Sequence, residues 1–152
     1  MTLSTIAQLR ARIARGDTTH ERVVAQALER AQEAPAAHVF TRLYEAAAIE
    51  AARHADAQAH AGVQQPLLAG LPVSIKDMYD VAHETTMAGS IACRGEAPAA
   101  ADAAAVARLR GQGAAILGKT NMTEFAFSGV GINPHFGTPG NARDAAASLL
   151  WS

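Results

Sequence analysis

The sequence predicts an α/β fold, with a helical lead-in over residues 1–65 and a strand–helix–strand unit opening the second part, residues 66–152. Three observations carry this. Apolar residues recur at helical spacing through the first third. The character of the chain changes at Pro66, where a turn feeds the apolar run Leu71–Ile75. A second apolar run, Ala114-Ala115-Ile116-Leu117, follows a helical pattern, so residues 71–117 read as one right-handed, parallel βαβ unit.

The elements follow in order. Ile6, Leu9 and Ile13 mark a first helix, with Ser4 or Thr5 as its cap and Gly16 as its stop. Thr18-Thr19-His20-Glu21 opens a second as a capping box, with Glu21 reaching back. Val23, Val24, Ala27, Leu28 and Ala31 form its apolar face, and Pro35 closes it. Val39-Phe40-Thr41 reads as a short strand, and Tyr44 through Ala61 as an alanine-rich helix ending at Gly62. His54 and His60 lie six apart, about 120° round a helix, so they read as solvated residues rather than metal partners. Leu71–Asp77 is expected to be a buried strand, residues 80–98 a long loop, and Ala99–Arg110 a helix with Val106 and Leu109 inward. Beyond the strand at 114–117, a short helix is expected near Met122–Phe127 with Asn121 as its cap.

Composition excludes several function classes. Thirteen Lys and Arg against 14 Asp and Glu give a net charge of −1, with no basic footprint for nucleic acid. Hydrophobic residues at 49% and charged residues at 18% describe a globular chain. Thirty-seven alanines and 5% aromatics predict a core of Ala, Leu, Val and Ile. The single cysteine, Cys93, excludes an internal disulfide framework and Cys-rich zinc sites and fits a reducing cytosol. No stretch approaches the roughly 20 apolar residues of a membrane span. The first residues also lack a basic segment followed by an apolar one. The expectation is a soluble, cytoplasmic protein without membrane contact.

Two motifs are decoys. Gly113-Ala114-Ala115-Ile116-Leu117-Gly118-Lys119-Thr120 satisfies the phosphate-loop pattern G-x-x-x-x-G-K-T. That loop needs a strand before its first glycine and free N–H groups in its four variable positions. Here those four residues are themselves the strand. His83-Glu84-Thr85-Thr86-Met87 starts like H-E-x-x-H, but Met87 fills the second ligand position.

Lys76 is the candidate for chemistry. It ends an apolar strand just before a long loop, where α/β folds gather catalytic groups. From position and pattern alone it reads first as a solvated ammonium at a strand end, paired to Asp77. The surrounding run resembles the amidase signature family. Leu71-Pro72-Val73-Ser74-Ile75-Lys76-Asp77 is similar to the strand that carries the family's catalytic lysine. Thr85-Thr86-Met87-Ala88-Gly89-Ser90 resembles its T-T-x-G-S loop, and Asp102 through Gly118 its next helix and strand. Lys119 through Phe127 and Asn133 through Asn141 resemble its following block. The likeness covers residues 66–144.

The resemblance implies the N-terminal part of an amidase-signature fold and amide hydrolysis by a Ser–cis-Ser–Lys triad, with Lys76 as the lysine. A serine hydroxyl needs a base to become a nucleophile, and a lysine serves only when neutral, which burial favours. Asp77 and Asn121 are implied as supporting residues, and Phe127 and Ser128 as substrate-channel positions. The plain reading of the last two is a packed aromatic and a turn hydroxyl. The substrate class is a small-molecule carboxamide, and no metal or organic cofactor is implied. A homo-oligomer of the full-length enzyme is compatible with the family.

After Asp144 the family's Gly/Ser-rich run, which holds both catalytic serines, does not follow. The expectation is a truncated or frameshifted amidase, inactive as these 152 residues, insoluble or molten when made alone. Ser74 shares a strand face with Lys76 but would lack an oxyanion hole. Ile132 stands where the tRNA-dependent amidotransferases often carry Glu in their A subunits, which favours a stand-alone amidase. The alternatives are the A subunit of a tRNA-dependent amidotransferase, and a non-catalytic remnant or interaction module.

Overall fold

The computed structural model describes residues 5–33, 36–141 and 144–148, the last five as backbone. Ser4, Pro35 and Leu149–Ser152 lie outside the described residues.

Helix α1 (Ile6–Ala14) starts with a reciprocal cap. Thr5 Oγ1 accepts from the Gln8 N–H at 3.2 Å, and the Thr5 N–H donates back to Gln8 Oε1 at 2.9 Å. Its apolar stripe is not buried as the periodicity suggests: no α1 residue is, and Ile6 is 62% exposed. Helix α2 (His20–Gln32) is capped by Thr19, whose hydroxyl accepts from the Arg22 N–H at 3.1 Å. Glu21 does not reach back, because Arg53 holds it at 2.8 Å. Asp56 of α3 (Glu45–His60) fills that role instead. Its carboxylate accepts the N–H groups of His20 and Glu21 and lies 2.7 Å from His20 Nδ1.

Strands β1 (Phe40–Leu43), β2 (Pro72–Lys76) and β3 (Ala115–Thr120) form a sheet in the order β1-β3-β2. β1 runs antiparallel to β3, and β2 parallel to it. Alternation splits the side chains of β3 between two cores. Ala115 and Leu117 pack against Val24, Leu28, Ala48 and Ala52 of α2 and α3. Ile116 packs with Ile75, Val81 and Val106, the last from α4 (Ala104–Gly111). At Gly118 an added Cβ would collide with the Arg42 carbonyl, so the approach of β1 to β3 requires glycine.

Several boundaries differ from the sequence expectation. Among the described residues β2 is an edge strand in which Ile75 is buried and Ser74 exposed, not a fully buried one. The helix expected from Ala99 begins at Ala104. β3 runs to Thr120, past the expected end at Leu117. In place of a helix at 122–127 stands one 3₁₀ turn, Glu124–Ala126, preceded by Thr123 rather than capped by Asn121. A second 3₁₀ turn, Ile91–Gly95, interrupts the long loop. β4 (Gly140–Asn141) and β5 (Asp144–Ser148) form a separate antiparallel pair. No helix among the described residues is long and apolar enough to cross a membrane.

Candidate active site at the ends of two parallel strands

Lys76 is the last residue of β2. Its carbonyl accepts the N–H groups of Met78 at 2.7 Å and Tyr79 at 3.1 Å, which closes the turn that ends the strand. Alternation puts Ser74 and Lys76 on one face and Val73 and Ile75, against α4, on the other. The apolar neighbours therefore do not enclose Lys76 as expected: it is half-buried, and its amine makes no hydrogen bond or ion pair among the described residues.

Asp77 continues the inward alternation and is 1% exposed. Its carboxylate meets Lys119 Nζ at 2.8 Å and accepts from Thr41 Oγ1 at 3.3 Å and the Met87 N–H at 3.3 Å. Lys119, 2% exposed, also donates to Thr86 Oγ1 at 3.1 Å. A bulge makes this pairing reachable. Val73 aligns with Ile116, but Ser74 aligns with Gly118 and Ile75 with Lys119. The one extra residue in β3 reverses its alternation, so Lys119 joins the face of Ile75 and Asp77 instead of following Leu117 toward α2 and α3. Sequence reasoning centred on Lys76 misses this pair. The signal for it is the apolar run that carries Lys119, since a buried lysine is expected to be paired.

The loops beyond the strands are tied together by side chains. Asn133, 2% exposed, donates to the carbonyls of Gly89 (2.7 Å) and Met122 (2.6 Å), and its oxygen accepts the N–H groups of His135 and Phe136. Asn121 donates to the carbonyls of His38 and Gly137 and accepts the Met122 N–H. It staples loops and does not point a free amide at Lys76. Ser90 is fully buried and donates to Glu124 Oε1 at 2.5 Å, and His135 Nε2 lies 3.2 Å from the same oxygen. The Ser90 hydrogen bond, aided by His135 and opposed by burial, holds the Glu124 carboxyl below its ordinary range. Ala88, Phe125 and Ala126 have positive φ, so the backbone is strained where these loops meet, while Gly89 takes its positive φ without strain. A Cβ on Gly89 would stand 2.6 Å from the Met122 carbonyl oxygen.

Phe127 is 94% exposed, so its ring packs against little among the described residues. Phe125, Val130 and Ile132 are exposed beside it in the chain. Ser128 Oγ accepts the Val130 N–H at 3.1 Å, as a turn hydroxyl does. Tyr44 packs against the Ile75 cluster. Burial, with Glu84 and Asp77 adding to it against Arg42 and Arg110, pushes its hydroxyl up to about 12.

Both decoys fail on geometry. Three of the four variable residues of the phosphate-loop pattern, Ala115, Ile116 and Leu117, lie in β3, and its lysine is the sealed Lys119. His83 sits in a turn with φ 68°, and no group of three potential metal ligands exists among the described residues.

The family model Amidase matches residues 22–149. That match continues past Asp144, where the sequence reading ends the likeness, so the family likeness does not break off there. The A subunit of the glutamyl-tRNA(Gln) amidotransferase of Rhodopirellula baltica is 40% identical over 131 residues, 85% of this chain and 26% of that protein. The AtzE subunit of 1-carboxybiuret hydrolase from Pseudomonas sp. (strain ADP) is 46% identical over 79 residues, 52% of this chain and 17% of that one. Among solved structures, a vestigial protein complex reported to reveal the origins of an s-triazine catabolic enzyme superposes with a TM-score of 0.89 at 34% identity. The match covers 95% of this chain and 32% of that one. The chain thus spans about a quarter of the first of these curated relatives and less of the second. With its family match running over most of its length and its fold shared with a solved relative, the chain belongs to the amidase (amidase signature) family.

Proposed function

We propose that this chain carries the lysine-bearing part of an enzyme that hydrolyses carboxamide C–N bonds by the Ser–cis-Ser–Lys mechanism, with Lys76 as the base. The supporting observation is the Lys76 amine. It stands at the carboxyl end of a parallel strand, half-buried and unbonded among the described residues, in a chain of the amidase family. In the reaction, Lys76 takes the proton of a bridging serine, which takes that of the nucleophilic serine. The alkoxide attacks the carbonyl carbon, and the proton returns to the departing amine. Water then releases the carboxylate by the same route.

Neither serine is supplied near Lys76 by the described residues. Ser74 makes no hydrogen bond to it, and Ser90 is buried and bound to Glu124. These 152 residues alone therefore give no turnover on a panel of aryl and aliphatic amides. In a serine-bearing version of the protein, Lys76→Ala lowers hydrolysis by about 10²–10⁴. Undiminished hydrolysis in that variant overturns the reading. Exposed Phe127, with Ser128, is the proposed contact for the substrate's acyl side.

A second reading is the ammonia-releasing A subunit of an amidotransferase. It is favoured by the 40% identity to one such protein over 85% of the chain and opposed by Ile132. Co-purification with partner subunits, and glutamine-dependent ammonia release in their presence, would select it.

A further inference from the structure

Glu124 stands where two loops meet its own turn, and the proposed proton relay makes no use of it. Its Oε1 accepts from Ser90 Oγ at 2.5 Å and lies 3.2 Å from His135 Nε2. Ser90 belongs to the loop after β2, and His135 to the segment before β4. The Glu124 carbonyl accepts the Phe127 N–H at 3.1 Å, and the Phe125 N–H donates to the Ala88 carbonyl at 2.8 Å. Between these bonds Phe125 and Ala126 stand at φ 51° and 54°. Two successive residues with side chains stay in the left-handed region only where their surroundings over-determine them.

We propose that Glu124 is a positioning residue: by clasping Ser90 and His135 it fixes the strained turn from which Phe127 projects, and so presets the contact for the substrate's acyl side. This deepens the proposed function and rests on the reading of Phe127 as that contact.

Phe127 is almost wholly exposed, so little packing of its own sets its direction and the backbone of the turn must set it. The clasp is anchored on both sides. Ser90 is fully buried, and its oxygen accepts the Ala92 N–H at 3.2 Å, which leaves its proton for Glu124. Without the carboxylate that buried hydroxyl has no acceptor. His135, the titratable group in contact with Glu124, donates its own N–H to Asn133 Oδ1 at 2.8 Å, and Asn133 in turn holds Gly89 and Met122. An ionised carboxylate is the stronger acceptor, and the Ser90 bond keeps this one below its ordinary range.

The test is kinetic, in the serine-bearing protein. It compares phenylacetamide, whose acyl side carries a ring, with acetamide, whose acyl side is a methyl group. Glu124→Ala is expected to lower the ratio of kcat/KM for phenylacetamide to that for acetamide about tenfold, through a higher KM for phenylacetamide rather than a lower kcat. Glu124→Gln keeps an acceptor for Ser90 and is expected to bring the ratio back to within about threefold. A loss shared equally by both amides, as a merely structural role gives, or an unchanged ratio overturns the proposal. Should Glu124→Ala fail to fold, Ser90→Ala removes the same bond from its other end and is read the same way. In the 152-residue chain, the variant is expected to speed amide exchange at Phe125, Ala126 and Phe127 about tenfold while α2 keeps its protection. Exchange that rises throughout, or nowhere, also overturns it. The parent reading fails separately: a phenylacetamide KM unmoved by Phe127→Ala removes the contact, while exchange at residues 125–127 still reports the clasp.

Discussion

Between the sheet and helices α2 and α3, Val24, Leu28, Ala48, Ala52, Ala115 and Leu117 meet as a purely apolar cluster. Beyond the ends of β2 and β3, the buried residues include Asp77, Ser90, Lys119 and Asn133, each bonded to a loop or a neighbouring strand. The first region is held by contacts without direction, and removing one leaves the others in place. The second is held by directional bonds among loops with strained backbones, and removing one side chain strands several buried groups at once. Asn121 and Asp77, implied by the resemblance only as supporting residues, act in this second region as a staple and a counter-ion.

The sharpest way to break the comparison is Asp77→Ala, which leaves the Lys119 ammonium buried without its partner. A loss of about 3–5 kcal/mol is expected in urea unfolding, enough to threaten folding of so short a chain. In the apolar region, Leu28→Ala costs about 2–5 kcal/mol by the same measurement, but with unchanged hydrogen-exchange protection in residues 86–90 and 121–138. Asn133→Ala is expected to cost about 1–3 kcal/mol, with exchange rising selectively at His135 and Phe136, whose N–H groups it accepts. If Leu28→Ala and Asn133→Ala loosen the same amides, the two regions are one cooperative unit and the contrast fails.

Asp56 gives a smaller, pH-dependent effect. Burial pushes its carboxyl up, but the N–H groups of Glu21 and His20 and the His20 ring together pull harder, holding it below its ordinary value. A carboxylate depressed in the folded state stabilises the fold above its unfolded pKa of about 3.9, and that contribution disappears as pH falls through the lower folded value. The urea midpoint of the wild type is therefore expected to fall more steeply below about pH 4 than that of Asp56→Asn. Phe127→Ala is the smallest. A side chain 94% exposed contributes within about 0.5 kcal/mol to stability, so this variant tests substrate contact without disturbing the fold.

Periodicity makes α2 legible in the sequence, because a helix that packs on one side must repeat its apolar residues every three or four positions, and alanine richness ending at Gly62 does the same for α3. The parallel pairing of β2 and β3 is legible for a similar reason: two apolar runs separated by a helix have few other ways to join one sheet. The resemblance carried by Leu71–Asp77 and the runs after it locates Lys76 at a strand end, where it is found. α1 shows the limit of pattern, since its stripe is present yet Leu9 and Ile13 are only partly covered and Ile6 is exposed.

The amino-acid order by itself thus determined the helices of the lead-in, the βαβ unit and the place of Lys76. Only the tertiary structure decided which carboxylate belongs to which lysine. That choice turns on a single-residue bulge in β3, which sends Lys119 to the face of Asp77. Local composition does not record such a shift. It is set where strands align through backbone bonds and Gly118 lets the Arg42 carbonyl come close, contacts between residues that lie far apart in the chain.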